Sequence, residues 1–188
     1  MTAVIPRSRV RITVDQFHRM GEAGILPPGD RIELLDGEMI NMAPIGSRHA
    51  DTVNRLAAAL LRIAGDAAVV SIQNPVQLSP LDEPQPDLML LQKKQAGYRD
   101  ALPTAGDVLL LIEVSDTTPK FDQEEKLPLY ARLEIPEVWI VDLVGKQLEI
   151  YREPRSGQYR VMLERGPADT MAPQAFPEML LNLSELLD

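Results

Sequence analysis

The clearest pattern of apolar and polar positions lies between residues 47 and 65. Its apolar side chains recur every three or four residues, at Ala50, Val53, Leu56, Ala57, Leu60 and Ala64. This spacing predicts an amphipathic helix with one buried face. Ser47 is a suitable N-cap, and Gly65 is where we expect the helix to end.

After this helix the pattern changes to short apolar runs. The segments "AAVVSIQNPVQL", "PDLMLLQ" and "DVLLLIEVSD" are each bounded by Pro, Asp or Gly, which predicts three core strands. Residues 121–133 form a second helix candidate, in which Pro128 must mark a kink or the first turn. "EVWIVDL" and "KQLEIYREP" then predict a hairpin about Val144 and Gly145, "YRVMLERG" a further strand, and "LNLSELL" a short terminal helix.

Two elements precede the amphipathic helix. A short helix capped by Thr13 is expected first, and residues 31–42 predict a hairpin whose turn is Asp36-Gly37. The order of elements therefore predicts an α/β fold with a mixed central sheet flanked by helices and a hairpin added in front. We expect residues 1–188 to form a single domain.

Composition supports an ordinary globular protein. Hydrophobic residues make up 45% of the 188 positions and charged residues 25%, so disorder along the whole chain is not expected. The absence of cysteine removes disulfides, thiol nucleophiles and thiolate zinc sites. The N-terminus lacks an apolar core of signal-peptide length, and no apolar run reaches membrane-spanning length, which favours a cytoplasmic protein.

The formal charge of −9 argues against nucleic-acid binding driven by bulk charge. Local basic groups remain: Arg7, Arg9 and Arg11 near the start, and Arg48, Arg55 and Arg62 in the amphipathic helix. The second group recurs every seven residues and forms one helical stripe. It is either a solvated helix face or a docking surface for DNA.

Two acids lie where buried strands begin or end. Asp87 follows Pro86 at the start of one apolar strand, and Glu113 lies near the end of the next. If these strands pair, both carboxylates meet at one position of the sheet, because neighbouring strands lie about 5 Å apart. Paired buried acids favour a hard divalent cation, Mg²⁺ or Mn²⁺. Alternatively, Asp87 only starts a strand and Glu113 only forms a salt bridge.

The surroundings of the two acids resemble the PD-(D/E)xK nuclease motif. In that motif a lysine stands two residues after the second acid, and here the position is occupied by Ser115. Lys126 is the candidate replacement, since Asp122, Lys126 and Tyr130 share a face of the second helix. The alternative is a surface lysine paired with Asp122.

The segments "RIELLDGEMINMAPIGSRHADTVNRL", "QNPVQL…EPQPDLMLL" and "LLLIEVSDTTPKFDQEEKLPLYARLEIPEVWIVDL" resemble the Uma-two family of restriction endonucleases. The resemblance implies a restriction-endonuclease-like core with the order α-β-β-β-α-β and a lysine that has moved to the second core helix. It places metal-ligand roles on Asp87 and Glu113 and a charge-stabilising role on Lys126.

Two further residues stand in family-like positions. His49 shares the apolar face of the amphipathic helix and is either a core histidine or a partner of an active-site carboxylate or water. Glu33 and Glu38 flank the Asp-Gly turn, and either could supply an extra acid or hold Arg31. We favour Glu33, because its side chain points to the opposite side of the strand from Ile32 and Leu34.

The leading functional hypothesis is Mg²⁺-dependent hydrolysis of DNA phosphodiester bonds by Asp87, Glu113 and Lys126, with His49 or Glu33 orienting water. A catalytically inactive binding or regulatory module with a nuclease fold is the alternative, favoured by Ser115 and the acidic charge. A third class is a phosphohydrolase acting on nucleotides. A homodimer is expected if two strands are cut.

Overall fold

The structure, a computed structural model, describes residues 10–27, 29–116 and 121–187 of the chain; Arg7 and Arg9 of the basic N-terminal group lie outside them. The helical elements are α1 (Val14–Glu22), α2 (Ser47–Ala64), a 3₁₀ turn (Ala105–Asp107), a π-helical turn (Asp122–Lys126), α3 (Leu127–Arg132) and α4 (Ser184–Leu187). The strands are β1 (Ile32–Leu35), β2 (Glu38–Asn41), β3 (Ala68–Ile72), β4 (Leu88–Gln92), β5 (Val108–Ser115), β6 (Glu137–Asp142), β7 (Gln147–Arg155), β8 (Gln158–Arg165), β9 (Thr170–Met171) and β10 (Leu181–Asn182).

A six-stranded sheet with the order β3-β4-β5-β6-β7-β8 forms the centre of the molecule. The pair β5–β6 is parallel and every other neighbouring pair in this sheet is antiparallel. The π-helical turn and α3 connect the two parallel strands, as a crossover between parallel strands requires. The predicted α/β fold with a mixed central sheet is therefore confirmed, including the order α-β-β-β-α-β from α2 to β6.

The two faces of the sheet support separate apolar cores, because alternate side chains of a strand point to opposite faces. One core joins α2 to Leu90, Ile112 and Trp139. The other joins α3 to residues such as Met89 and Leu111. Central strands with both faces covered are nearly continuous apolar runs, which explains the sequence of β5.

Helix α2 follows its predicted apolar spacing but begins differently. Gly46 rather than Ser47 is the N-cap, and no side chain caps the helix, so the prediction for Ser47 was wrong by one position. Gly46 has an extended backbone with ψ of 162°, which lets the helix start without a side-chain acceptor. Gly65 is the C-cap, as predicted.

The predicted second helix is divided into two forms. A five-residue π-helical turn, Asp122–Lys126, precedes α3, and Pro128 lies in the first turn of α3. Proline in a first helical turn is tolerated because the amide it lacks has no partner within the helix there. A single α-helix over residues 121–133 was therefore wrong in detail, and the wide turn rotates Lys126 relative to α3.

The leading hairpin β1–β2 forms its own two-stranded sheet. Asp36 and Gly37 both have positive φ, 51° and 71°, as the turn of a two-residue hairpin requires. The backbones of Leu34 and Glu83 exchange two hydrogen bonds, which attach β1 to the segment before β4. The hairpin is therefore held against the core.

Within the described ranges, the helices include none that is long and apolar enough to cross a membrane.

Two adjacent leucines of α2 offer a matched test of the core. Leu60 is 0% exposed, whereas Leu61 is 56% exposed. Leu60→Ala is expected to lower the free energy of unfolding by about 2 to 5 kcal/mol because it leaves a cavity. Leu61→Ala should change it by less than about 0.5 kcal/mol. Urea denaturation measures both, and equal effects would contradict the assigned helix face.

Candidate active site

A cavity of about 480 Å³ lies where the hairpin, the beginning of α2 and the ends of β4 and β5 meet. Its lining includes every residue that the sequence proposed for catalysis: Glu33, His49, Asp87, Glu113 and Lys126. The basic stripe of α2 does not contribute to this lining. The tertiary structure thus brings together five residues that are spread over 94 positions, 33 to 126, of the chain.

Asp87 directly precedes β4 and is buried. Leu88 pairs with Ile112, so the antiparallel register continues to place Asp87 opposite Glu113. The Oδ2 of Asp87 accepts the amide of Val114 at 2.9 Å, and Oδ1 accepts the side-chain amide of Gln73 at 3.1 Å. Burial by itself raises the pKa of Asp87, but His49 and these hydrogen bonds outweigh it, so the pKa lies below its ordinary value.

His49 lies one turn into α2 and points at this carboxylate. Its Nε2 is 3.0 Å from Oδ2 of Asp87, while its Nδ1 is buried and has no hydrogen-bond partner within the described residues. Of the two predicted alternatives, the geometry therefore agrees with a histidine that contacts an active-site carboxylate. If Nε2 donates to Asp87, the lone pair of Nδ1 remains available as a proton acceptor.

Lys126 is the only described lysine in the cavity lining, and it is just 3% exposed. Its Nζ donates to Oε1 of Glu33 at 2.9 Å and to Oε1 of Glu113 at 3.1 Å. The alternative of a surface lysine is therefore wrong, because the π-helical turn directs the side chain under the hairpin. These carboxylates raise the pKa of Lys126 against the opposing effect of burial, so it stays an ammonium ion.

Glu113 is buried near the end of β5. Its Oε1 accepts both the ammonium of Lys126 and, at 2.6 Å, the hydroxyl of Tyr130. Burial raises the pKa of Glu113 to about 8; the charge of Lys126 opposes this, and the nearby acids add to it. One buried ammonium cannot neutralise several carboxylates at once, so the site favours an additional positive charge.

Glu33, the acid favoured over Glu38, reaches the same ammonium from the hairpin. It is almost fully buried and its Oε1 also accepts the backbone amide of Gln85 at 2.8 Å. Glu38 is exposed and does not line the cavity. Glu33 pairs with Lys126, and the buried Nη2 of Arg31 has no hydrogen-bond partner among the described residues.

Three residues of the site received no role from the sequence: Arg31 and Asp122, which line the cavity, and Tyr130, which donates to Glu113 behind it. Asp122 is buried, and burial together with neighbouring acids raises its pKa to about 6, against the effect of Lys126. The sequence spacing places Asp122 and Tyr130 on the same helix face as Lys126. That spacing was a signal that could have identified Asp122 and Tyr130, together with Lys126, as site residues. For Arg31 the sequence offered no comparable signal.

The donor set fits a hard divalent cation. Both described hydrogen bonds of Glu113 end on Oε1, which leaves Oε2 as an electron-pair donor beside the anionic Asp87. Within the described part of the chain, no three His, Asp or Glu side chains are grouped closely enough to hold a metal by themselves. A site with two carboxylates suits Mg²⁺, which commonly keeps several waters and takes the remaining ligands from a phosphate.

The basic stripe of α2 is partly neutralised by this chain's own acids. Arg48 lies 2.9 Å from Asp116, and Arg55 lies 2.7 Å from Asp51. Arg62 is exposed and forms no ion pair with the described residues. Two of the three predicted DNA contacts would therefore have to exchange an internal partner for a phosphate.

A family model described as Uma2, "Putative restriction endonuclease", matches residues 14–184. The chain belongs to the Uma2 family. This match spans both elements that hold the cavity, the hairpin and the central sheet, and it confirms the resemblance found in the sequence motifs.

A solved structure supports the same fold for this Uma2 protein. It is described as a "putative nuclease belonging to DUF820" from Anabaena variabilis. The TM-score is 0.75 at 14% sequence identity, covering 94% of this chain and 97% of that chain. At this identity the similarity shows the fold alone. No curated protein matches the chain.

The buried ammonium predicts a large effect on stability. Lys126→Met leaves the two carboxylates without their cation, and removing one partner of a buried ion pair costs about 3 to 5 kcal/mol. Lys93→Met removes an exposed lysine paired with exposed Asp66 and should cost less than about 1 kcal/mol. Chemical denaturation of both variants measures the difference; a loss below about 1 kcal/mol for Lys126→Met would contradict this arrangement.

Proposed function

We propose that this Uma2 protein is a metal-dependent endodeoxyribonuclease with a variant PD-(D/E)xK site. The observation that carries the proposal is the pair of hydrogen bonds from Lys126 to Glu33 and Glu113. They support the idea that an ammonium from the following helix replaces the lysine missing at Ser115. A buried lysine among carboxylates in a cavity is typical of catalytic sites.

Asp87 and Glu113 are the residues that would hold Mg²⁺ or Mn²⁺. When bound there, such an ion lowers the pKa of a bound water and polarises a phosphoryl oxygen. The raised pKa of Glu113 fits this role, because a nearby cation relieves the repulsion among the buried acids. Asp87 is held in position by three donors, so its carboxylate is oriented before any ligand binds.

Lys126 and His49 would supply the remaining chemistry. The ammonium of Lys126 lies beside Glu113 and can offset negative charge that develops on the phosphate in the transition state. His49 is the candidate for orienting the attacking water, because it lines the cavity and its Nε2 lies beside Asp87. Glu33 is engaged with Lys126 and Gln85, so it acts on Lys126 and is a weaker candidate for orienting water.

One observation favours an inactive binding module instead. Asp87 and Glu113 already accept hydrogen bonds from the chain's own side chains, so the fold does not depend on a metal to satisfy them. The two functions differ in metal affinity. Titration with Mn²⁺, followed by calorimetry, should show binding to the native chain for a nuclease and none for a purely structural site.

Three expectations from the sequence stay predictions: DNA docking on the stripe of Arg48, Arg55 and Arg62, a homodimer for double-strand cleavage, and a cytoplasmic location. A single domain over residues 1–188 also stays a prediction.

Asp87→Asn tests the proposed metal site. The amide keeps the size of the side chain but removes the negative charge, so Mg²⁺-dependent cleavage of plasmid and oligonucleotide DNA should fall by about 10²-fold or more. Mn²⁺ binding should weaken in parallel. Asp66→Asn is the control, because Asp66 is fully exposed and, among the described residues, forms an ion pair with Lys93 alone. Cleavage at the native rate by Asp87→Asn would show that Asp87 is not part of the catalytic metal site.

The docking surface is tested at Arg62, whose guanidinium is already free of ion pairs among the described residues. Arg62→Gln should make the slope of log affinity for DNA against log salt concentration less steep, by about the contribution of one phosphate contact. Arg160→Gln, at an exposed position of β8, should leave the slope unchanged. Identical slopes for the native chain, Arg62→Gln and Arg160→Gln would mean that DNA docks on a surface other than the stripe of α2.

A further inference from the structure

Arg31 lines the active-site cavity and has a buried, unpartnered guanidinium nitrogen. Nη2 of Arg31 is buried and donates to no acceptor among the described residues. A buried charged donor without an acceptor is costly, and an anionic ligand in the cavity would remove that cost. Arginine is also the side chain that best matches the oxygens of a phosphate.

The wall of the cavity near Arg31 is largely apolar. It is formed by Ile40 of β2, by Phe121, and by the segment that leads from β2 to α2, with Met42, Pro44 and Ile45. Phe121 is the sole Phe, Tyr or Trp among the lining residues that the structure describes. An apolar wall with an aromatic ring is unsuited to a phosphate but suited to the face of a nucleobase.

We propose that the cavity is a nucleotide subsite that takes one unstacked nucleotide of DNA. Arg31 binds a phosphate of that nucleotide, and its base packs against Phe121 and the Met42–Pro44–Ile45 wall. The subsite rests on the proposed nuclease function and names its substrate class: DNA with unpaired nucleotides, either single-stranded or distorted, in preference to intact duplex.

The size and charge of the site support this substrate class. A cavity of about 480 Å³ lies within the range of pockets that enclose small ligands, about 300 to 1,000 Å³. An intact duplex keeps its bases stacked and presents phosphates over a wide surface, which calls for many free basic groups. Here the chain carries a formal charge of −9, and both Arg48 and Arg55 are paired with acids.

The first experiment compares three end-labelled substrates of the same sequence in Mg²⁺: single strand, intact duplex and duplex with one unpaired loop. We expect the native chain to cut the single strand and the loop at least about tenfold faster than the duplex. Equal rates, or faster cutting of the duplex, would overturn the subsite while leaving the nuclease function in place.

The second experiment measures binding without cleavage, by fluorescence anisotropy of a short labelled single strand in Ca²⁺. Phe121→Leu should weaken binding about five- to tenfold by removing a stacking surface, and the matched Phe17→Leu in α1, outside the cavity, should not. With a strand that is abasic throughout, the native chain and Phe121→Leu should bind equally. A Phe121→Leu effect that persists on the abasic strand would contradict base packing.

Arg31→Met should weaken binding of both the normal and the abasic single strand by about tenfold, whereas Arg160→Met should not weaken either. Unchanged affinity in Arg31→Met would overturn the phosphate contact. The cleavage and binding measurements together separate the two proposals. If no substrate is cut, the proposed nuclease function is wrong. The subsite then survives only if single-strand binding still depends on Arg31 and Phe121.

Discussion

The ammonium of Lys126 is the interaction on which the candidate site depends. It connects three parts of the chain, because it lies between Glu33 of the hairpin and Glu113 of the central sheet while it belongs to the π-helical turn. Without it, two buried carboxylates would lack a cation, a state that proteins avoid. One positive charge of the turn is therefore in direct contact with both the hairpin and the strand.

That charge is insufficient to neutralise all the acids around it, and the pKa values of these acids reflect the imbalance. Burial and neighbouring acids raise the pKa of Glu113 to about 8 and that of Asp122 to about 6, although Lys126 opposes both shifts. Asp87 behaves differently, since His49 and two amide donors keep its pKa low. A carboxylate with a lowered pKa beside an acid whose repulsion a cation would relieve is the combination expected of a two-carboxylate metal site.

Local sequence predicted most of the fold. Apolar spacing placed α2 and the core strands, and the Asp36-Gly37 pair predicted the hairpin turn, because these signals depend on side-chain periodicity and on backbone angles of single residues. The start of α2 and the division of the second helix were missed. A cap and a π-helical turn depend on hydrogen bonds and packing that periodicity does not encode.

The features of the candidate site likewise divide into those that the sequence predicted and those that only the tertiary structure revealed. The sequence by itself determined which acids are placed at the strand ends, Asp87 and Glu113, and that the usual lysine is replaced by Ser115. Only the tertiary structure decided that Lys126 points inward, that Glu33 shares it and that Nη2 of Arg31 is buried with no hydrogen-bond partner among the described residues. The physical reason is that contacts between residues up to 93 positions apart depend on how the hairpin, sheet and turn pack together, which spacing along one element cannot show.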